Sequence, residues 1–203
     1  MLRYAITDCG LFGGSLDAML LRLVEIAPQL DYLQVRERGL SAAKLEAFVT
    51  RLISALAELP KRPLILVNHR ADVALACRAD GVHLRSGPGE LTAAQIRELY
   101  RSAGLPPPVI SVSCHTLEDL ANAKSASLIL FGPVFEKQLP ADQPPLPGTG
   151  IELLAHACFL AAPAPVLALG GVTAGNQQEC LAAGAAGIAG IRHFLVNPQS
   201  SRE

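Results

Sequence analysis

The sequence predicts a (β/α)8 TIM barrel, and three observations carry that expectation. Eight short apolar runs rich in β-branched residues recur at fairly even intervals, at 2–7, 32–36, 64–67, 81–84, 109–113, 128–131, 166–169 and 187–191. Apolar runs of this length read as strands buried on both faces of a parallel sheet. Helical patterns lie between them, and strict alternation of strand and helix is what a barrel of this class requires. No Gly-x-Gly-x-x-Gly follows the first run, which tells against the dinucleotide-binding form of a doubly wound open sheet, the alternative architecture.

The connecting segments follow in order. Segment 16–26 is helical and stops before Pro28. Between 42 and 59, Leu45, Phe48, Val49, Leu52, Ile53 and Leu56 make one apolar stripe at helical spacing, and Pro60 ends it. Segment 70–78 is a short helix. Thr92 and Gln95 form a capping box that opens a helix to about residue 103, closed by Gly104 and three prolines. Thr116 and Asp119 repeat the pattern before 117–123, directly after the fifth strand. Thr149 and Glu152 predict another box, opening a helix to about residue 161. Segment 176–183 ends at Gly184, a C-cap residue. The one irregular connection is 136–150, with Pro140, Pro144, Pro145, Pro147 and Gly148; it follows the sixth strand and is a candidate active-site loop.

Composition narrows the function classes. With 203 residues, half of them hydrophobic and only 4% aromatic, the chain is expected to form a single barrel domain over 1–203. Seventeen basic and 18 acidic residues leave a net charge of −1, so no nucleic-acid partner is expected. No apolar stretch approaches the ~18 residues of a membrane span, and the N-terminus lacks a signal-peptide pattern. The five cysteines are scattered without a Cys-x-x-Cys pair, which fits reduced thiols in the cytoplasm and argues against a zinc site.

In a barrel, chemistry gathers at the C-terminal ends of the strands, and phosphate is often held after strands seven and eight. His115 ends the fifth strand beside Ser113. As an imidazole it could serve as general acid/base; it could equally be a donor packed against a helix start. Gly170, Gly171 and Gly190 with Ile191 and Arg192 lie where backbone N–H groups could approach a phosphate; tight turning alone is the plain alternative. Gln34, Arg36 and Arg38 alternate along the second strand end, so they share a face suited to a phosphate or carboxylate. A salt-bridged strand end, with Glu37 opposite, is the other reading. Asn68 and His69 end the third strand, and Gly132 ends the sixth. His83 reads as structural, and Cys114 is expected to point away from the side carrying His115.

These strand ends carry a family resemblance. Tyr4-Ala-Ile-Thr-Asp8, Leu33-Gln-Val-Arg-Glu-Arg38, Leu66-Val-Asn-His-Arg-Ala-Asp-Val-Ala-Leu75, Ala79-Asp-Gly-Val-His-Leu84, Ile110-Ser-Val-Ser-Cys-His-Thr116, Leu130-Phe-Gly-Pro-Val-Phe135, Ala168-Leu-Gly-Gly-Val172 and Ala185-Ala-Gly-Ile-Ala-Gly-Ile191 follow one another in order. Together they resemble the thiamine phosphate synthase/thiazole tautomerase (TenI) superfamily over nearly the whole chain. The resemblance implies a (β/α)8 barrel and a small phosphorylated thiazole ligand, with a homodimer left open. The synthase branch joins a pyrimidine diphosphate to thiazole phosphate and displaces pyrophosphate with Mg²⁺. The chain departs from that branch's pattern: His69 stands where an Asp follows Asn68, and no carboxylate follows Leu84 until Glu90.

Loss of those hard oxygen donors would cripple a Mg²⁺ site. The resemblance is therefore read toward the TenI branch. That branch implies an isomerase: a metal-independent thiazole tautomerase with no cofactor. His115 would move the proton; Gly170, Gly171, Gly190, Ile191 and Arg192 would hold phosphate; Gln34, Arg36, Arg38, Asn68, Ser113 and Gly132 would line the substrate. Two alternatives remain. One is a synthase with a displaced metal site involving Glu90 or Glu136, the one reading that needs Mg²⁺. The other is a non-catalytic barrel that binds thiazole or thiamine phosphates.

Overall fold

The computed structural model describes residues 1–87, 89–123, 125–136 and 144–196. Eight strands form a closed, all-parallel barrel in chain order: β1 (Leu2–Ile6), β2 (Tyr32–Val35), β3 (Leu64–Asn68), β4 (Gly81–Arg85), β5 (Val109–Cys114), β6 (Leu128–Phe131), β7 (Val166–Leu169) and β8 (Gly187–Gly190). Closure is made by β1 on β8, where Tyr4 lies opposite Ala189. Eight helices alternate with the strands: α1 (Leu16–Ile26), α2 (Ala42–Leu56), α3 (Ala71–Ala76), α4 (Ala93–Ser102), α5 (Asp119–Asn122), α6 (Ile151–Ala161), α7 (Gln177–Ala182) and α8 (Arg192–Leu195).

The helix starts follow capping chemistry. The Ser15 and Ser41 hydroxyls accept the N–H groups of Ala18 and Lys44. Thr92 and Gln95 form the reciprocal box at α4: the Gln95 N–H reaches Thr92 Oγ1 at 3.3 Å, and the Thr92 N–H reaches Gln95 Oε1 at 2.8 Å. The box expected at Thr149 and Glu152 does not form. Both the N–H and the hydroxyl of Thr149 are given to the Pro133 carbonyl, at 2.8 and 3.0 Å, and α6 starts after Gly150 without a side-chain cap. Thr149 thus anchors the far end of the 136–150 connection to β6. Residues 137–143 of that connection lie outside the described residues.

Two apolar layers hold the barrel. The larger packs the outer faces of the strands against the helices, with Leu23, Phe48, Leu52, Ile65, Val82, Ile110 and Ile129 among its buried members. The smaller lies inside the barrel on the β6–β7–β8–β1 side: Tyr4, Ile6, Leu128, Leu130, Leu167 and Ala189. The opposite half of the interior, under β2 to β5, is polar and carries Gln34, His83, Ser111 and Ser113, all buried. Cys114 belongs to the outer layer, so the alternation read from the sequence holds, and burial pushes its thiol up to about 12. Among the described residues no helix is long and apolar enough to cross a membrane.

Candidate active site

The C-terminal ends of β4 and β5 and the segments after them surround a cleft of about 380 Å³ lined by Arg85, Ser86, Gly87, Glu90, Ser113, His115 and Asp119. Its floor on the β5 side is built by the turn into α5. One Asp119 oxygen accepts the N–H groups of His115 and Thr116, at 2.7 and 3.0 Å, and the Asp119 N–H returns to Thr116 Oγ1 at 3.2 Å. The box read from Thr116 and Asp119 therefore forms, although α5 is only one turn long. Burial alone would raise the Asp119 carboxyl. The two N–H donors and the Ser86 and Thr116 hydroxyls outweigh it and hold the carboxyl below its ordinary range. This turn fixes the His115 backbone. The His115 ring is fixed separately: Nδ1 bonds the Gly132 carbonyl at the end of β6. A carbonyl only accepts, so Nδ1 carries the proton and the exposed ring's Nε2 is left as an acceptor.

The β3–β4 side holds a charged bridge. His69 Nδ1 lies 3.0 Å from one Glu90 oxygen, and Arg85 contacts the other through Nη2 at 3.0 Å and Nε at 3.2 Å. His69 has φ 57°, a left-handed conformation costly for a residue with a Cβ. Its N–H is tied to the His83 carbonyl at 2.9 Å, which holds the residue there and turns the ring toward Glu90.

On the β2 side, Thr7 Oγ1 accepts the Arg36 N–H at 2.9 Å and gives its own proton to Glu37. The second Glu37 oxygen takes the Cys9 N–H at 3.1 Å. Glu37 is thus committed to the β1 loop. Arg36 is half-buried, and among the described residues no carboxylate forms an ion pair with it. Burial, and then the neighbouring Arg38, push its guanidinium below the ordinary arginine value. Arg38 is exposed in the turn beyond β2, where the strand alternation has ended.

Not every residue expected from sequence joins this cleft. Gln34 and Asn68 lie under the mouth, bonded to each other at 2.9 Å. Gly170 and Gly171 both have positive φ, 90° and 65°, and a Cβ on either would fall within 2.6 Å of Pro133, Phe135 or Glu136. Their first requirement is the close approach of the loop after β6. Leu169 stands opposite Ala189, so the turns at Gly170 and Gly190 emerge side by side. Ile191 caps α8, which is only four residues long, so little dipole is available there. Arg192 is exposed at the start of α8. Sequence reading did not assign Arg85, Tyr4 or Ser111 a role. The available sign was parity: Ser111, like Ser113, sits on the inward face of β5.

Comparison with known proteins gives a consistent picture. A family model described as "Thiamine monophosphate synthase" matches residues 3–194. A thiamine-phosphate synthase of Albidiferax ferrireducens is 36% identical over 191 residues, covering 92% of this chain and 80% of that one. A Geobacter sulfurreducens protein that carries the same name provisionally is 39% identical over 203 residues, covering 96% and 87%. In structure the chain resembles thiamine phosphate pyrophosphorylase from Pyrococcus furiosus, with a TM-score of 0.76 at 27% identity over 97% of this chain and 88% of that one. These relatives correct the expectation of an isomerase. They are named for a synthase or pyrophosphorylase, and the thiazole tautomerase reading is withdrawn on that finding.

Proposed function

The chain belongs to the thiamine monophosphate synthase family, and from that premise we propose that it is a transferase acting in thiamine biosynthesis, joining a pyrimidine diphosphate to a thiazole phosphate. The observation that carries this reading is the likeness to named synthases over almost the entire chain. In the reaction the carbon–oxygen bond to the diphosphate breaks, both electrons leave with pyrophosphate, and a carbon–nitrogen bond to the thiazole forms.

The family resemblance implies Mg²⁺ beside the diphosphate, and the donors here do not fit that ion. Mg²⁺ takes hard oxygen ligands in near-octahedral array. Both Glu90 oxygens are engaged by His69 and Arg85, and Asp119 is spent on backbone N–H groups. Among the described residues no three His, Cys, Asp or Glu groups are arranged to hold a metal ion.

The charge that grows on the leaving group instead meets guanidinium. Arg36, half-buried and without an ion pair among the described residues, and the exposed Arg38 and Arg85 offer fork-shaped donors to phosphate oxygens. The adjacent turns at Gly170–Gly171 and Gly190–Ile191 are suited to the thiazole phosphate. His115 offers Nε2, and Ser113 its hydroxyl, to a substrate N–H or O–H. The test is formation of thiamine phosphate from both substrates, run with magnesium and with a chelator. Wild type should form product above background, and Arg36→Ala should lose about 10²-fold or more. Absence of product under both conditions, with either substrate still bound, would replace this reading with that of a binding barrel.

A further inference from the structure

The polar half of the barrel interior holds a hydrogen-bonded chain. His83 Nδ1 lies 2.8 Å from Ser111 Oγ, and Ser111 Oγ lies 2.8 Å from the Tyr4 hydroxyl. The Tyr4 hydroxyl gives its proton to Gln34 Oε1 at 3.1 Å, and Gln34 Nε2 gives one to Asn68 Oδ1 at 2.9 Å. The first four residues are buried, and Tyr4 joins the halves, its ring in the apolar cluster and its hydroxyl in the polar one. Five polar side chains in place of apolar filling are costly to a barrel unless each is satisfied, so their arrangement calls for a reason.

Proton counting gives the chain a direction. Tyr4 has one proton, and it goes to Gln34. Its oxygen must then accept from Ser111, and Ser111, with its own proton spent, must accept from His83 Nδ1–H. Burial keeps His83 neutral, with an imidazole pushed down to about 3, so one N–H is all it has. At the other end the Asn68 oxygen is occupied, and its amide N–H groups are left for the mouth.

The geometry points to Tyr4, Ser111 and His83 as positioning residues that lock the Gln34 and Asn68 amides, so that Asn68 presents N–H donors and selects a ligand edge carrying an acceptor. This inference rests on the reading of the barrel mouth as the substrate site, but the polarity of the chain is measurable without any substrate. In the opposite polarity every proton reverses: His83 becomes the Nε2–H tautomer and Asn68 turns its oxygen outward.

The experiment has two arms. Nitrogen-15 NMR of the intact protein reads the His83 tautomer; Nδ1–H is expected, and Nε2–H overturns the inference whatever the enzyme does. In the second arm, Tyr4→Phe and Ser111→Ala are assayed against both substrates. Each should raise KM for the pyrimidine diphosphate about ten-fold, as loss of one buried hydrogen bond does, with KM for the thiazole phosphate within about two-fold. Equal loss on both substrates, or none on either, overturns it. If wild type shows no turnover the synthase reading fails separately. The same comparison is then made on pyrimidine diphosphate binding by calorimetry, where unchanged affinity in both variants overturns the inference.

Discussion

His83 makes the protein's stability depend on pH in a calculable way. The imidazole is buried inside the barrel, with His69 ring to ring at 6.3 Å and Arg36 nearby. Burial first, and then the neighbouring His69 and Arg36, push it from its ordinary 6.5 down to about 3. Between these values the unfolded chain takes a proton that the folded chain refuses. The contribution is therefore intact above pH 6.5, is lost progressively as pH falls, and levels off near pH 3. At pH 5 the unfolded state lies 1.5 units below its midpoint, so the loss is about 2 kcal/mol at about 1.36 kcal/mol per unit. The perturbation is His83→Gln, whose amide can still donate to Ser111 without titrating. Urea unfolding of both proteins at pH 7.5 and pH 5 gives two stability differences, in which all other titrating groups cancel. Wild type should lose about 2 kcal/mol more than the variant over that interval. Parallel losses would mean that folded His83 accepts the proton, and the account of a dry, neutral imidazole would be wrong.

Other expectations follow from the frame around the site. Asp80 joins β3 and β4 from below: its oxygens take both Arg62 Nη atoms, at 2.6 and 2.9 Å, and the Ile65 N–H at 2.8 Å. Asp80→Asn should cost about 1–3 kcal/mol in urea unfolding; a loss below 0.5 kcal/mol, within the usual range for surface substitutions, would refute that role. A Cβ on Gly81 would fall 1.8 Å from the Val109 carbonyl, so Gly81→Ala should cost about 3 kcal/mol or prevent folding, and wild-type-like unfolding would contradict the strand spacing. Thr92→Ala removes the α4 box and should cost about 1 kcal/mol, with Gln95→Ala giving less on top of it than alone.

The fold was legible because a parallel barrel buries both faces of every strand. Continuous apolar runs such as 128–131 then mark strands without ambiguity, and Pro28, Pro60 and Gly104 close the helices between them. Local chemistry misled at Thr149, where the box pattern is present but Thr149 gives its N–H and hydroxyl to the Pro133 carbonyl. The same limit governed the site. Arg36, Asn68, Ser113 and His115 could be placed because each ends a strand, and strand ends converge. The chain through Tyr4 and Ser111 was harder to place, because a strand buried on both faces shows no polar alternation, and only the parity of Ser111 with Ser113 marked the inward side. The isomerase expectation had a similar origin. It weighed carboxylates missing at fixed offsets, a short-range pattern, above similarity spread along the whole chain.

Glu90 shows what that short-range pattern leaves out. Six residues beyond Leu84, it stands between His69, just past β3, and Arg85 of β4. The β3–β4 edge therefore keeps a carboxylate, but one held by an imidazole on one oxygen and a guanidinium on the other. That arrangement changes the sign of what the edge can bind. A carboxylate with free lone pairs invites a cation, whereas one enclosed by donors presents those donors outward. With Arg36 half-buried across the mouth and without an ion pair among the described residues, the charge here is complementary to an anion directly, and the diphosphate is the anion that the proposed reaction brings. The residue that replaces the expected Asp, His69, is held in a left-handed conformation by the His83 carbonyl. The backbone strain at the charged bridge and the neutral imidazole below it are thus parts of one construction at the end of β3 and β4.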